Sequence, residues 1–176
     1  KTTNSLRNNL GFILIYVRID MEKSDLEFYM EKAIQQAKIA GRNDDVPVGA
    51  VIVQDKNVIA TGYNRRQADK NTICHAEILA ISSACRRLNR WILNDCQLFV
   101  SLEPCIMCFG AIVQARIENV YFGAYDPKTG ACGSTNDLMD LRNSSINHHT
   151  NFYGGILLET CSNLIKDFFR KKRMEI

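Results

Sequence analysis

The sequence predicts an α/β sandwich that forms a single domain. Short β-prone runs alternate along the chain with longer segments of helical periodicity, and this alternation is typical of a sheet covered by helices. The chain has 176 residues, of which 46% are hydrophobic and 23% are charged. This length and composition fit a globular domain with a full hydrophobic core and exclude disordered and fibrous classes.

The first predicted element is an amphipathic helix. Apolar residues recur at helical spacing from Leu26 to Ala37. Ser24 and Glu27 have the spacing of a capping box, which predicts that the helix starts there. Gly41 predicts its end.

A hairpin and a second helix are predicted next. Residues 48–53 and 58–63 are β-prone runs on either side of a polar turn, as expected for a hairpin. Residues 72–90 then carry an apolar stripe at helical spacing, with Thr72 as a candidate N-cap.

The second half of the chain continues the alternation. Residues 97–102 and 117–123 predict two strands, with a helix between them that has Pro104 in its first turn. A terminal helix is predicted over residues 156–173.

Residues 1–20 differ from the rest and are expected to be an N-terminal extension outside the domain, which would comprise residues 21–176. An upstream in-frame extension or an expression remnant is favoured over an organelle-targeting stretch, which the low acid content would also suit. The apolar run from Leu10 to Val17 is much shorter than the ~20 residues that span a bilayer. We therefore expect no membrane partner.

Charge and cysteine content add two observations. The net charge is only +3, but residues 166–173 form a basic end that contains two aromatic residues. This end is either a solvated helix terminus or a patch that contacts phosphates. The seven cysteines are an odd number, so metal ligation in a reducing compartment is favoured over a disulfide framework.

The clearest chemical pattern joins two distant clusters. Cys105 and Cys108 are spaced i, i+3 near a predicted helix start, where the helix dipole favours thiolates. A redox pair or half of a zinc finger fits this motif less well, because the surrounding elements and spacings do not match. With His75 as a third ligand, the set leaves one tetrahedral position for water, as in catalytic zinc sites. Glu77 is then the candidate proton carrier.

Cys74 is the rival ligand in the upstream cluster. It stands three residues before Glu77, whereas His75 stands two residues before it. We interpret Cys74 as a small buried apolar residue.

These motifs resemble a known family. His75-Ala76-Glu77 together with Pro104-Cys105-Ile106-Met107-Cys108 is similar to the signature of zinc-dependent nucleobase deaminases. The flanking stretches are similar to bacterial tRNA-specific adenosine deaminases over roughly residues 21–176. These stretches are residues 46–53, 62–65, 102–111, 122–130 and 167–170.

The resemblance implies a three-layer α/β/α sandwich around a central mixed sheet of about five strands. It implies hydrolytic deamination of adenosine to inosine at the wobble position of a tRNA anticodon, by attack of zinc-activated hydroxide on adenine C6. His75, Cys105 and Cys108 would hold one zinc ion per subunit, and Glu77 would shuttle protons. The positions that match substrate-binding residues of the family are Asn64, Ala76, Asp126, Phe169 and Arg170.

The resemblance also implies partners and a location. The expected partners are a tRNA anticodon stem-loop and a second copy of the chain in a homodimer, with no organic cofactor. The expected location is cytoplasmic, with an organellar location as the lesser alternative because of residues 1–20. The segment 131–150 matches the family poorly, so no contact is inferred there beyond a role for Asn147 or His148.

Two other functions stay open at this point. The same zinc site would serve a free-base or nucleoside deaminase acting on guanine or cytosine, although such an enzyme would lack the basic aromatic terminal helix. A non-catalytic deaminase-like RNA-binding subunit would keep the metal for folding. Such a subunit should have lost the glutamate, whereas Glu77 is present.

Overall fold

A mixed five-stranded sheet separates two pairs of helices in the computed structural model, which describes residues 21–134 and 148–175. The predicted extension 1–20 and Asn147 lie outside the described residues. The helices and strands are, in chain order, α1 Lys23–Arg42, β1 Gly49–Gln54, β2 Asn57–Tyr63, α2 Ala76–Leu88, β3 Gln97–Leu102, α3 Ile106–Gln114, β4 Asn119–Ala124, β5 Asn151–Tyr153 and α4 Leu158–Met174.

The sheet has the order β2-β1-β3-β4-β5. The strand β1 pairs antiparallel with both β2 and β3, whereas β3, β4 and β5 run parallel to one another. The parallel pair β3–β4 is joined by α3, which is the usual crossover for parallel neighbours. The predicted mixed sheet of about five strands is therefore confirmed.

The two faces of the sheet carry separate hydrophobic cores, because successive side chains of a strand point to opposite faces. In β1, Ala50 and Ile52 pack in a core with residues of α2 and α3. Val51 and Val53 pack in a second core with residues of α1 and with Cys161 of α4. The three-layer arrangement is thus set by the alternation within the central strands.

The predicted hairpin is confirmed and has a tight turn. Asp55 and Lys56 connect β1 to β2 with φ angles of 49° and 63°. Two consecutive left-handed residues are the mark of a type I′ turn, whose twist matches that of the flanking strands.

The predicted ends of α1 are wrong. Glu22 is the N-cap residue and makes no side-chain cap bond, so Ser24 already lies inside the first turn. Gly41 is also helical. The chain leaves the helix after Arg42, and Asp44 takes the left-handed conformation with φ 62°.

The predicted starts of α2 and α3 are displaced by two to four residues. Thr72 is not an N-cap, because α2 begins at Ala76 with His75 as its N-cap residue. Pro104 lies outside the first turn of α3, which begins at Ile106 with Cys105 as its N-cap residue. Both helices therefore start next to a residue that the sequence predicts to be a metal ligand.

The strand β2 lies against α2 without room for a side chain at Gly62. A Cβ atom added there would collide with the carbonyl oxygen of Ala76 and would lie 2.6 Å from the backbone nitrogen of Ala80. This close approach fixes the first turn of α2 against the sheet. Among the described residues, no helix has the length and apolar character needed to cross a membrane.

Candidate active site

The starts of α2 and α3 bring three metal-binding side chains together. Nδ1 of His75 lies 3.7 Å from Sγ of Cys105 and 3.5 Å from Sγ of Cys108. The potential ligand atoms all lie within 4.8 Å of one another, and the described part of the chain contains no other such group. Tetrahedral zinc, with bonds of ~2.3 Å to sulfur and ~2.0 Å to nitrogen, sets its sulfur and nitrogen ligands about 3.5 Å apart. The three side chains therefore fit zinc.

The two thiols have opposite tendencies to ionise. The pKa of Cys105 is lowered to about 4, first by a hydrogen bond from Cys108 and then by one from His75. The pKa of Cys108 is raised by the same interaction with Cys105 and by burial. The Cys105 thiolate therefore forms readily and accepts a hydrogen bond from the Cys108 thiol. A thiolate is the form of cysteine that binds a metal.

Cys74 lies outside this group. Cys74 directly precedes His75 in the sequence and is buried, but its Sγ is not among the clustered ligand atoms. The structure therefore places this side chain as the sequence interpretation expects.

Glu77 lies in the first turn of α2, on the same cavity as His75 and Cys105. Its side chain is only 3% exposed, and burial raises its pKa to about 7. A carboxyl group that titrates near neutral pH can both accept and donate a proton. This environment suits the proton-carrier role predicted for it.

The cavity beside these residues has a volume of about 420 Å³, within the range of sites that hold small molecules. Asn64, Ala76, Asp126 and Phe169 all contribute to its walls. The structure thus brings four of the five predicted substrate-binding residues onto one cavity.

Asn64 lies in the cavity wall and carries a buried acceptor. Its Nδ2 donates to the carbonyl oxygen of Val46 at 3.1 Å, which fixes the orientation of the amide. Its Oδ1 is buried and has no hydrogen-bond partner among the described residues. A buried acceptor without a partner is costly for a folded protein, so this atom is suited to a ligand donor.

The model of the cytidine and deoxycytidylate deaminase zinc-binding region matches residues 23–124. The chain belongs to this deaminase family. The match spans the region from α1 to the end of β4, including every predicted zinc ligand.

Two curated relatives cover most of the deaminase. The tRNA-specific adenosine deaminase of Bacillus subtilis (strain 168) is 43% identical over 147 residues, which are 84% of this chain and 90% of the relative. The tRNA-specific adenosine deaminase of Rickettsia typhi (strain ATCC VR-144 / Wilmington) is 41% identical over 149 residues, which are 84% of this chain and 99% of the relative.

Solved structures share the fold. A tRNA:A34 deaminase, from studies of A-to-I editing at the wobble position of transfer RNA, has a TM-score of 0.73 at 39% identity. That likeness covers 78% of this chain and 98% of the other. The guanine deaminase of Bacillus subtilis has a TM-score of 0.57 at 31% identity, with 84% of this chain and 92% of the other covered.

Two predicted residues of the deaminase have surroundings that the sequence did not indicate. Arg170 is not part of the cavity wall and pairs with Asp167 at 3.0 Å on the exposed side of α4. The carboxylate of Asp126 accepts hydrogen bonds from the backbone N–H of Lys128 and the hydroxyl of Thr129. Asp126 therefore shapes the turn at the cavity rim, and its predicted contact with nucleic acid stays a prediction.

Glu103 is a buried residue of the site that was not predicted; it is 2% exposed and precedes Pro104. Its carboxylate accepts hydrogen bonds from the backbone N–H groups of Asp126 at 3.0 Å, Cys132 at 2.9 Å and Ser134 at 3.1 Å. The hydroxyl of Ser134 donates to the same carboxylate. Glu103 thus holds the loop after β4 against the start of α3. An acidic residue directly after a buried strand was the available signal.

A second buried carboxylate holds the loop before α2. Asp45 is almost fully buried and accepts from the backbone N–H groups of Gln67 at 2.8 Å and Ala68 at 3.1 Å. Within that loop, the guanidinium of Arg65 binds both carboxylate oxygens of Asp69. The loop before α2 and the loop after β4 are therefore both fixed by buried carboxylates that are distant in sequence.

Proposed function

We propose that this deaminase converts adenosine to inosine at the wobble position of a tRNA anticodon. The observation that carries the proposal is the likeness, at 43% and 41% identity over most of the chain, to two tRNA-specific adenosine deaminases. The cavity supports it, because α4 contributes Lys166 and Phe169 to its walls beside the candidate zinc ligands. A cation and an exposed ring at a cavity mouth suit a substrate with phosphates and bases.

His75, Cys105 and Cys108 would hold the zinc ion. When bound there, zinc lowers the pKa of a water molecule and acts as a Lewis acid. Glu77 takes one proton from the attacking water and delivers it to the adenine ring nitrogen. It then takes the second proton from the hydroxyl that has added to C6 and delivers it to the amine, so that the C6–N bond breaks and ammonia leaves. Its burial beside His75 keeps the carboxyl within reach of these atoms and limits access of bulk water.

Three elements position the base. The Oδ1 of Asn64 accepts a hydrogen bond from the nucleoside, and the backbone of Ala76 contacts the base at the start of α2. From the other side, Phe169 of α4 meets the anticodon loop, with Arg170 on the adjacent exposed surface. Asp126 keeps the intervening loop in place and lies near the nucleic acid.

The deaminase acts in the cytoplasm as a homodimer in this proposal. Two exposed apolar side chains, Ile73 and Ile106, each lie within two residues of a zinc ligand. Contact between subunits would remove this apolar surface from water. Sedimentation of the zinc-loaded protein tests the dimer, and a monomer at micromolar concentration would contradict it.

A free-base deaminase is the second candidate, and the likeness to a guanine deaminase at 31% identity favours it. Incubation with anticodon stem-loops and with free adenosine, cytidine and guanine separates the two functions when products are scored by mass. We expect reaction only on a loop that carries adenosine at the wobble position. Conversion of a free base, with an unchanged RNA loop, would overturn the proposal.

A matched control is a stem-loop with guanosine in place of the wobble adenosine. This loop should return unchanged with wild-type protein. The Glu77→Ala variant should leave all substrates unchanged, which excludes a contaminating deaminase.

A further inference from the structure

Two exposed aromatic rings lie at the mouth of the cavity. Among the described residues, the exposed large hydrophobic side chains that line this cavity are Tyr125, which is 48% exposed, and Phe169, which is 43% exposed. They belong to different elements, since Tyr125 directly follows β4 and Phe169 lies in α4. Phe169 already belongs to the proposed RNA surface, whereas no role was predicted for Tyr125.

The ring of Tyr125 packs against a buried ring. It packs at 88° to the ring of Phe122, with centroids 5.1 Å apart, and Phe122 is almost completely buried. Gly154 leaves room for this pair, because a Cβ atom added there would collide with the Phe122 ring and lie 2.8 Å from the Tyr125 hydroxyl oxygen. The aromatic ring therefore has a rigid support on the protein side.

The backbone beside Tyr125 is fixed as well. The N–H of Asp126 donates to Oε2 of Glu103 at 3.0 Å, and the N–H of Gly130 donates to the carbonyl oxygen of Asp126 at 3.0 Å. On the other side, the N–H of Glu103 donates to the carbonyl oxygen of Ala124 at 2.8 Å. A ring on such a support loses little conformational entropy when it binds a partner.

We infer that Tyr125 stacks on a nucleobase next to the target adenosine. This inference rests on the proposed function. The cavity has the volume for one nucleoside, so the neighbouring nucleotides must stay at its mouth, where Tyr125 lies. Extrusion of the target base leaves its neighbours without a stacking partner. An aromatic side chain can stack on such a neighbour in place of the extruded base, and it can do so with any of the bases.

A double-mutant cycle between protein and RNA tests the contact. Binding is measured with zinc-loaded Glu77→Ala protein, with and without Tyr125→Leu. The RNAs are anticodon stem-loops with the native base or an abasic site on the 5′ or 3′ side of the target adenosine. We expect Tyr125→Leu to weaken binding of the intact loop about tenfold, whereas Tyr125→Phe retains it. At one of the two neighbours, the abasic site and Tyr125→Leu together should weaken binding no more than either alone.

The inference would be overturned if, at both neighbouring positions, the affinity losses from the abasic site and from Tyr125→Leu multiplied. It would also be overturned if Tyr125→Leu bound the intact loop as tightly as the protein with Tyr125. Phe28→Leu is the matched control, because Phe28 is a similarly exposed ring that does not line the cavity. It should leave binding unchanged. Since Tyr125 also packs on Phe122, Tyr125→Met serves as a second ring-free variant, and thermal unfolding checks that each variant is folded.

Inosine formation by the wild-type protein on the intact loop is measured in parallel. If no inosine forms while the binding cycle shows coupling, the proposed function is wrong and the stacking contact stands. If inosine forms and the cycle shows no coupling, the proposed function stands and the role of Tyr125 is wrong. Absence of binding to every loop would contradict both.

Discussion

Nδ1 of His75 lies 3.5 Å from Sγ of Cys108, although 33 positions separate the two residues in the sequence. The contact exists because α2 and α3 both start at the same end of the sheet. Cys108→Ser should therefore reduce bound zinc to less than about a tenth of the wild-type content, since it removes one of the three predicted protein ligands. Cys74→Ser is the matched control, because Cys74 is also buried but lies outside the cluster. Metal analysis that showed zinc loss in the control and retention in Cys108→Ser would reverse the assignment.

Glu77→Ala should retain zinc and lose turnover by a factor of roughly 10²–10⁴, the usual contribution of a general acid–base group. The side chain is buried in the wall of the cavity and is not one of the clustered ligands. Single-turnover rates on an adenosine-containing stem-loop measure the effect, with zinc content determined on the same sample. A rate close to that of the wild type would show that another group moves the proton.

Glu103→Gln should lower the free energy of unfolding by about 1–3 kcal/mol, because an amide nitrogen cannot accept the N–H bonds that the carboxylate now receives. The loop from Asp126 to Ser134 would lose its anchor, so KM for the stem-loop should rise. Chemical denaturation and steady-state kinetics measure the two effects. Glu118→Gln, at an exposed position, is the control and should change neither quantity.

Lys166→Gln should reduce the slope of log affinity against log salt by about one, as expected for one lost phosphate contact. Lys166 lines the cavity. Lys172→Gln should have a smaller effect, because its Nζ already lies 2.5 Å from Asp44 and 3.2 Å from Glu175. Binding titrations from low to moderate salt compare the two variants. Equal slopes for Lys166→Gln and the wild type would remove Lys166 from the RNA surface.

Gly62→Ala should destabilise the protein by about 1–3 kcal/mol, the usual range for overpacking. The added methyl group would push against the backbone of Ala76 and Ala80 and displace the start of α2. Gly110→Ala is the matched control. Gly110 lies within α3 with no atom near an added Cβ, so this change should stabilise the helix by about 0.5–1 kcal/mol. Thermal unfolding distinguishes the two directions.

The sequence was sufficient to predict the residues whose type and local spacing indicate their chemistry. His75 and Glu77 lie two residues apart, Cys105 and Cys108 three apart, and each pair stands at a helix start, so type and spacing predict the cluster that the structure brings together. The strand β3 was predicted with its observed bounds for a similar reason, because its apolar run is short and continuous.

The sequence did not predict the exact starts of α2 and α3, where a predicted metal ligand stands in place of a usual cap residue. His75 and Cys105 are N-cap residues without a side-chain cap bond, so the usual serine, threonine or aspartate signal is absent at both helix starts. The three-residue strand β5 is too short to show alternation and was not predicted. It is recognised as a strand through its parallel pairing with β4.

Local sequence patterns also could not predict contacts between residues that are distant in sequence. Glu103 binds backbone groups 23 to 31 positions away, and Asp45 binds groups 22 and 23 positions away. Neither residue has a neighbour in sequence that indicates its partner. The role of a buried acidic side chain can be recognised only when the fold shows which N–H groups surround it.

Selection for heat resistance alone would act against the site at Asn64. Its buried Oδ1 has no partner among the described residues, and such an atom weakens the folded state by about 1–3 kcal/mol. A directed-evolution experiment that screens only for survival at high temperature should therefore replace this amide with side chains that leave no acceptor. Lineages screened for survival and inosine formation together should keep it, so the two populations would diverge first at position 64.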